Sequence, residues 1–301
     1  MSLQILVLAA LDGIAYGALV FLVAVGMTLV FGVMRILNVA HGSFYALGAY
    51  AAASLGIAMA GMGLSPWLAF PMFIVAAAVV GITVGGLMER FLLQRIYGYE
   101  ETLQLLVTFA VFMMLENVQR LVWGVQPYFY SDPLRQLGNV NVAGITYTAY
   151  QTLFLPLVAL AVLFGLRFFL RYTLAGSVIV AVTEDREAAT AIGINARRVF
   201  FLTFVIGVTL ASLGGALASP TTSVLPGMGA EMIVLSFAVA ATAGLGQIEG
   251  AAIAALLIGL GRSMAVFFAP EFEVVMPYLI MVLVLLIRPE GLFGKTTARK
   301  I

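Results

Sequence analysis

The sequence predicts an all-α fold, a polytopic transmembrane helical bundle of about eight or nine spans. Three observations carry this reading. Of the 301 residues, 63% are hydrophobic and only 10% are charged, with a mean hydropathy of +1.11. A soluble domain carries about a quarter charged residues, so this chain could not cover its surface against water. Apolar runs long enough to cross a bilayer recur along the whole length, and Lys and Arg gather in alternate connections between them.

In chain order the hydrophobic segments fall at 6–34, 40–60, 66–88, 102–124, 149–167, 199–219, 231–246, 248–269 and 273–288. The start, MSLQILVLAALDG, lacks the basic region of a cleaved signal and is broken by Asp12, so it reads as a retained first helix. The seventh segment is short enough for a re-entrant or broken helix. Two connections are long: 125–148, rich in Tyr, Asn, Pro and Gly, and 168–198, which carries much of the charge. With the N-terminus outside, one face collects Arg35, Arg90, Arg95, Arg167, Arg171, Arg186, Arg197, Arg198, Arg288, Lys295, Arg299 and Lys300. Only Arg120 and Arg135 fall on the other face, so the positive-inside rule puts the C-terminus in the cytoplasm. Residues 1–301 then form a single transmembrane domain with a cytoplasmic segment at about 168–198. The pairs Gly13/Gly17, Gly81/Gly85 and Gly246/Gly250 have the small-xxx-small spacing of close helix contacts.

Composition also excludes classes of function. A net charge of +1 gives no electrostatic footprint for nucleic acid. There is no cysteine, and His41 is the single histidine, so no metal centre and no cofactor are expected. The stretch GLFGKTT, from Gly291, ends like a phosphate-binding loop. The first glycine of such a loop is replaced by Pro289, and the stretch reads as a cationic tail anchored by Lys295.

Three places could carry chemistry. Within 168–198, Thr183 can cap a short helix with Glu184, Asp185 and Glu187 in its first turn, and Gly193 can end it. Ala188, Ala189 and Ala191 leave a smooth face with Ile192 and Ile194 following. Such a helix either docks in a groove of another protein or lies on the membrane surface. The second place is the break from Arg35 to Ser43. Asn38, His41, Gly42 and Ser43 fit a broken helix lining a path or its gate, and equally a tight cytoplasmic turn. The third, Thr242 to Gly250, places Gly244, Gly246 and Gly250 in a helix break or a tight turn. Charge at membrane depth is scarce: Glu116 and Arg120 are spaced to pair along one helix, and Arg262 lacks a near partner in sequence.

Three stretches carry a resemblance that covers nearly the whole chain, about 16–295. They are GMTLVFGVMRILNVAHGSFYALGAY, AGSVIVAVTEDREAATAIGINARRVFFLTFVIG and AATAGLGQIEGAAIAALLIGLG. They resemble the membrane subunits of bacterial ABC importers for branched-chain amino acids, at the length of the shorter, LivH type. RPEGLFGK is similar to the usual ending, whereas Glu249 stands where that family's pattern leads one to expect proline. The resemblance implies pairing with a second, longer permease to form a translocation path in the inner membrane. It implies two cytoplasmic P-loop ATPases gripping coupling helices, here around 183–194, and a periplasmic binding protein delivering the cargo. Any P-loop would then belong to the partner chains.

Alternatives remain at this stage. An ion-coupled transporter would need titratable groups at depth, and Glu116, Glu231 and Glu249 are the acids along the later spans. An intramembrane enzyme would need a dyad or metal cluster that nothing here positions. An ABC permease for urea, short amides or other amino acids would share the architecture.

Overall fold

The computed structural model describes residues 3–142 and 144–294. Four helices come first: α1 (Leu3–Met34), α2 (His41–Gly61), α3 (Pro66–Ile96) and α4 (Glu101–Trp123). The long connection then folds into α5 (Asp132–Leu137) and a hairpin, β1 (Asn139–Val142) with β2 (Ile145–Thr148). The strands are antiparallel, with Asn139 opposite Thr148 and Val142 opposite Ile145. After α6 (Tyr150–Tyr172) come two short helices, α7 (Leu174–Glu184) and α8 (Arg186–Ala191). The chain continues through α9 (Ala196–Ala218), α10 (Met228–Ala243), α11 (Ile248–Phe268) and α12 (Met276–Ile287). Seven helices are long and apolar enough to cross a membrane: α1, α2, α3, α4, α6, α9 and α11. The expected all-α bundle is therefore present, with α7, α10 and α12 as shorter apolar helices.

Helix α1 is apolar on every side, which suits a helix buried in the centre, and it packs against α11, α9 and α10. Small residues set the closest approaches. Gly13 and Gly17 meet the backbone of Leu260 and Ala255 on α11, and Gly81 and Gly85 meet Thr209 and Val208 on α9. The third sequence pair differs. Gly246 lies outside any helix, in the turn before α11, against Gly32 of α1.

Helix α3 runs two turns beyond the expected end at residue 88, to Ile96. Wider π-type turns at Gly81–Gly85 and Glu89–Leu93 interrupt its α-helical ladder. Glu89 is fully buried there, and the extension and the residue after it supply its partners: the Gln94 amide donates at 2.9 Å and the Tyr97 hydroxyl donates as well. A buried carboxylate without such donors would cost several kcal/mol, on the order of magnitude known for unpaired buried charge.

The face bearing α1's start also carries the hairpin. Tyr147 donates to Asp12 Oδ1 at 3.1 Å, and the Ser263 hydroxyl of α11, which donates to the Ala9 carbonyl at 2.7 Å, lies 3.1 Å from Oδ2 of the same carboxylate. Burial, then the charge of Asp12, pushes the Tyr147 hydroxyl well above its usual pKa. Arg262, which lacks a near partner in sequence, finds one further along the chain. It pairs with Glu273, which follows α11 by a short turn, and lies 4.1 Å from the Tyr16 ring centroid.

Candidate functional site

The break between α1 and α2 folds back into the bundle. Arg35 turns the chain with φ of 57°, the one non-glycine residue in left-handed conformation among the described residues. Residues 37–39 then lie against α4: the Val39 N–H donates to the Thr108 hydroxyl at 3.3 Å, and that hydroxyl lies 3.2 Å from the Leu37 carbonyl. At the start of α2, His41 Nε2 stands 3.0 Å from the Val23 carbonyl. A carbonyl only accepts, so Nε2 carries the proton. Val23 lies three turns back from the end of α1, about 16 Å along its axis. Asn38, His41 and Ser43 are all buried. Both side-chain polar atoms of Asn38, Nδ1 of His41 and the hydroxyls of Thr28 and Thr203 have no partner among the described residues.

Helix α10 starts at the same level. Gly42 and Gly229 are in backbone contact: a β-carbon on Gly42 would stand 2.1 Å from the Gly229 carbonyl oxygen. Neither helix start carries a side-chain cap. Two positive dipole ends thus lie side by side inside the bundle, an arrangement that favours a negative group nearby. A crevice too narrow to admit a water molecule lies beside them, lined by Ser43, Phe112, Glu116, Gln119, Gly227 and Ala230 among others. Gln119 Nε2 lies 3.4 Å from the Ser43 carbonyl. Glu116 is held by Arg120 one turn on, as the spacing predicted.

The third predicted place is a tight turn that serves as a socket. Gly244 and Gly246 take left-handed φ of 97° and 88°, and Gly250 packs on Phe293 and the Ala243 carbonyl. The N–H groups of Leu292 and Phe293 donate to Thr242 and Ala243 at 2.8 and 3.0 Å. The GLFG stretch therefore closes against the α10–α11 turn rather than forming a phosphate loop, while Lys295 lies outside the described residues. Glu249, in the first turn of α11, bridges Arg167 at 2.7 Å and Arg171 at 3.5 Å at the end of α6.

The charged segment differs from its sequence reading. Thr183 does not cap the short helix; it sits inside α7 and its hydroxyl donates to the Ile179 carbonyl at 2.8 Å. Ile179 and Val182 are buried, and this apolar face extends helix back to Leu174, where Thr173 is the cap. Asp185 breaks the chain and caps α8, accepting from the Ala188 N–H at 2.9 Å. Glu184 thus ends α7, and only Glu187 of the three acids lies in the first turn of α8. Gly193 is left-handed, at φ of 92°. Ala189 is buried, whereas Glu187, Ala188, Ala191 and Ile192 face outward and Ile194 is half-buried.

A family model described as "Branched-chain amino acid transport system / permease component" matches residues 9–285. The chain belongs to this family. Among relatives of this permease component, the LivH high-affinity branched-chain amino acid permease protein of Escherichia coli K12 is 28% identical over 96% of both chains. BraD of Pseudomonas aeruginosa, named for the same kind of system, is also 28% identical over 96% of both. The longer LivM protein of Escherichia coli K12 is 26% identical over 91% of this chain and 68% of its own length. PsaBC from Streptococcus pneumoniae, solved in complex with a Fab, superposes with a TM-score of 0.46 at 14% identity, covering 95% of this chain and 91% of that one. This family member is a multi-pass membrane permease component and not an enzyme. Sequence reasoning missed two of its features: the buried Glu89, hidden beside Arg90 where the span was expected to end, and the contact that the start of α10 at Gly229 makes with α2. The Leu-Pro-Gly before α10 was the available signal for the second.

Proposed function

We propose that this chain forms half of the translocation path of an ATP-driven importer for branched-chain or similar apolar amino acids. Residues 1–301 act as one transmembrane domain in the inner membrane, N-terminus outside and C-terminus in the cytoplasm. A second, longer permease completes the path, two P-loop ATPases drive it and a periplasmic binding protein supplies cargo. Asn38, His41, Gly42 and Ser43 form the gate region, with Gly244, Gly246 and Gly250 as the joint beneath it. Thr183, Glu184, Asp185, Glu187, Ala188, Ala189, Gly193 and Ile194 make up the segment through which ATPase movement enters.

The observation that carries this reading is the meeting of two uncapped helix starts at Gly42 and Gly229, within the bundle, beside Ser43, Gln119 and Glu116. Transporters place interrupted helices so that free N-terminal N–H groups face the carboxylate of a substrate. An amino acid brings a charge such a place can use, a carboxylate for the helix starts. The crevice is narrow, so the helices must part before a leucine could enter, as alternating access requires.

The test is a tagged purification from native membranes in a detergent that preserves complexes, followed by uptake in proteoliposomes. Recovery of two P-loop ATPases and a second permease, with ATP-dependent leucine uptake, is the expected result. Recovery of this chain alone, with uptake driven by an ion gradient, would replace the reading with a secondary transporter. Uptake of urea in place of leucine would keep the architecture and change the cargo.

A further inference from the structure

The same face that carries α7 and α8 holds a cleft outside the gate region. Its volume is about 300 Å³, at the small end of ligand pockets. Arg35, Glu101 and Arg186 line it together with Val33, Val182 and Phe200. These charges come from three distant parts of the chain: the turn after α1, the first residue of α4 and the first residue of α8. Among the described residues none of the three charged groups has an ion-pair partner. Arg186 instead stands 5.1 Å from the Phe200 ring centroid. Arg35 holds the left-handed backbone at this cleft, a conformation that costs a non-glycine residue on the order of 1–3 kcal/mol and so needs a reason. Beneath, Gln104 braces the floor, its amide donating to the Ile96 and Tyr99 carbonyls at 3.2 and 3.0 Å.

We infer that this cleft binds a free zwitterionic α-amino acid with an apolar side chain. Two guanidinium groups suit the carboxylate, and Glu101 suits the ammonium group. Val33, Val182 and Phe200 supply an apolar wall for a side chain of leucine size. The ligand class follows from this lining. That the ligand is the carried amino acid, arriving on the cytoplasmic side after transport, rests on the function proposed above. Because Arg186 begins α8 and Arg35 begins the turn after α1, an occupied cleft ties the coupling segment to the gate-bearing turn. Accumulated cargo would then slow its own import.

The test uses the complete importer in lipid nanodiscs, with equilibrium binding of radiolabelled leucine, isocaproate (no amine) and leucinol (no carboxylate). Glu101→Gln is expected to weaken leucine at least tenfold and leave isocaproate unchanged. Arg35→Gln is expected to weaken leucine and isocaproate and leave leucinol unchanged, with Arg288→Gln as a control that changes none. Leucine binding that both cleft variants leave intact overturns the inference. A tenfold loss of ATPase affinity in those variants, with leucine binding intact, assigns the cleft to a protein contact and overturns it too. Binding-protein-driven leucine uptake is measured in parallel. Normal uptake without cleft binding sinks this inference alone, whereas cleft binding without leucine uptake sinks the proposed cargo and leaves the site.

Discussion

Gly42 and Gly229 hold the starts of α2 and α10 in backbone contact, because neither position leaves room for a methyl group. A β-carbon at Gly42 would also fall 2.9 Å from Ile233 Cβ, so α10 would have to move as a body. Gly42→Ala is therefore expected to destabilise the bundle by about 1–3 kcal/mol, the usual cost of overpacking. Transport should fall more than stability, because the displaced element borders the crevice. Thermal unfolding in detergent and uptake in proteoliposomes measure the two. An alanine variant with unchanged melting and full uptake would show that this contact is not tight in the working protein.

His41 ties α2 to α1 through one hydrogen bond to the Val23 carbonyl, and that carbonyl is buried with it. His41→Ala leaves an acceptor without its donor and opens a cavity, at a cost of about 1–3 kcal/mol for the lost bond alone. His41→Gln can restore a donor and should recover most of that stability. If the glutamine variant recovers stability and not uptake, the ring has a role in the gate beyond packing. Equal recovery of both would make His41 a structural tie.

Much of the bundle was legible because lipid demands long apolar helices, and the expected segments match helices to within a few residues except at α3. That helix overran because a buried acid looks like a span's end in sequence, and only the fold reveals Gln94 and Tyr97 as donors to Glu89. The pairing of Glu116 with Arg120 was readable from spacing, whereas that of Glu249 with Arg167 and Arg171 was not, since it joins α11 to α6. Thr183 was misplaced for a related reason: its candidate cap position gave way to the buried face of Ile179 and Val182, a tertiary preference that local rules do not contain. The depth of the Asn38–His41 break was open in sequence because a turn at the surface and a turn folded inward use the same residues.

Tyr97 lies just beyond α3 and donates to Glu89. Burial, and then this bond, push its hydroxyl well above the ordinary tyrosine pKa of about 10. The folded state therefore holds the Tyr97 proton more tightly than the unfolded chain does. Its contribution is fully present below about pH 10 and is lost as pH rises beyond that value. Tyr97→Phe should be less stable at neutral pH by about 1–3 kcal/mol, since Glu89 loses a donor, and should lose less on going from pH 9 to 11. Denaturant titrations at both values check this. A variant whose alkaline loss equals that of the parent would exclude Tyr97 as the source.

Glu249 bridges two arginines but is half-exposed, as they are. Exposed pairs contribute about 0–1 kcal/mol, so Glu249→Gln should melt within a few degrees of the parent. The pairing matters more for geometry, because it links the end of α6, which leads into α7 and α8, to the start of α11. Glu249→Gln is expected to keep stability and lower uptake per ATP hydrolysed. Unchanged coupling would reduce the bridge to a surface ion pair.

Glu187 and Ala188 face outward on α8, away from the buried Ala189 that fixes the helix to the bundle. Substituting Glu187→Lys with Ala188→Trp therefore changes the exposed side without opening a cavity, and insertion and melting should stay near the parent values. Association with the ATPases should weaken at least tenfold, since a bulky ring and a reversed charge would oppose docking of a smooth acidic face. Pull-down of the ATPases and measurement of their leucine-dependent hydrolysis read this directly. Intact association together with intact uptake would move the point of force entry off α8, and the cleft-facing side at Arg186 would be the next place to change.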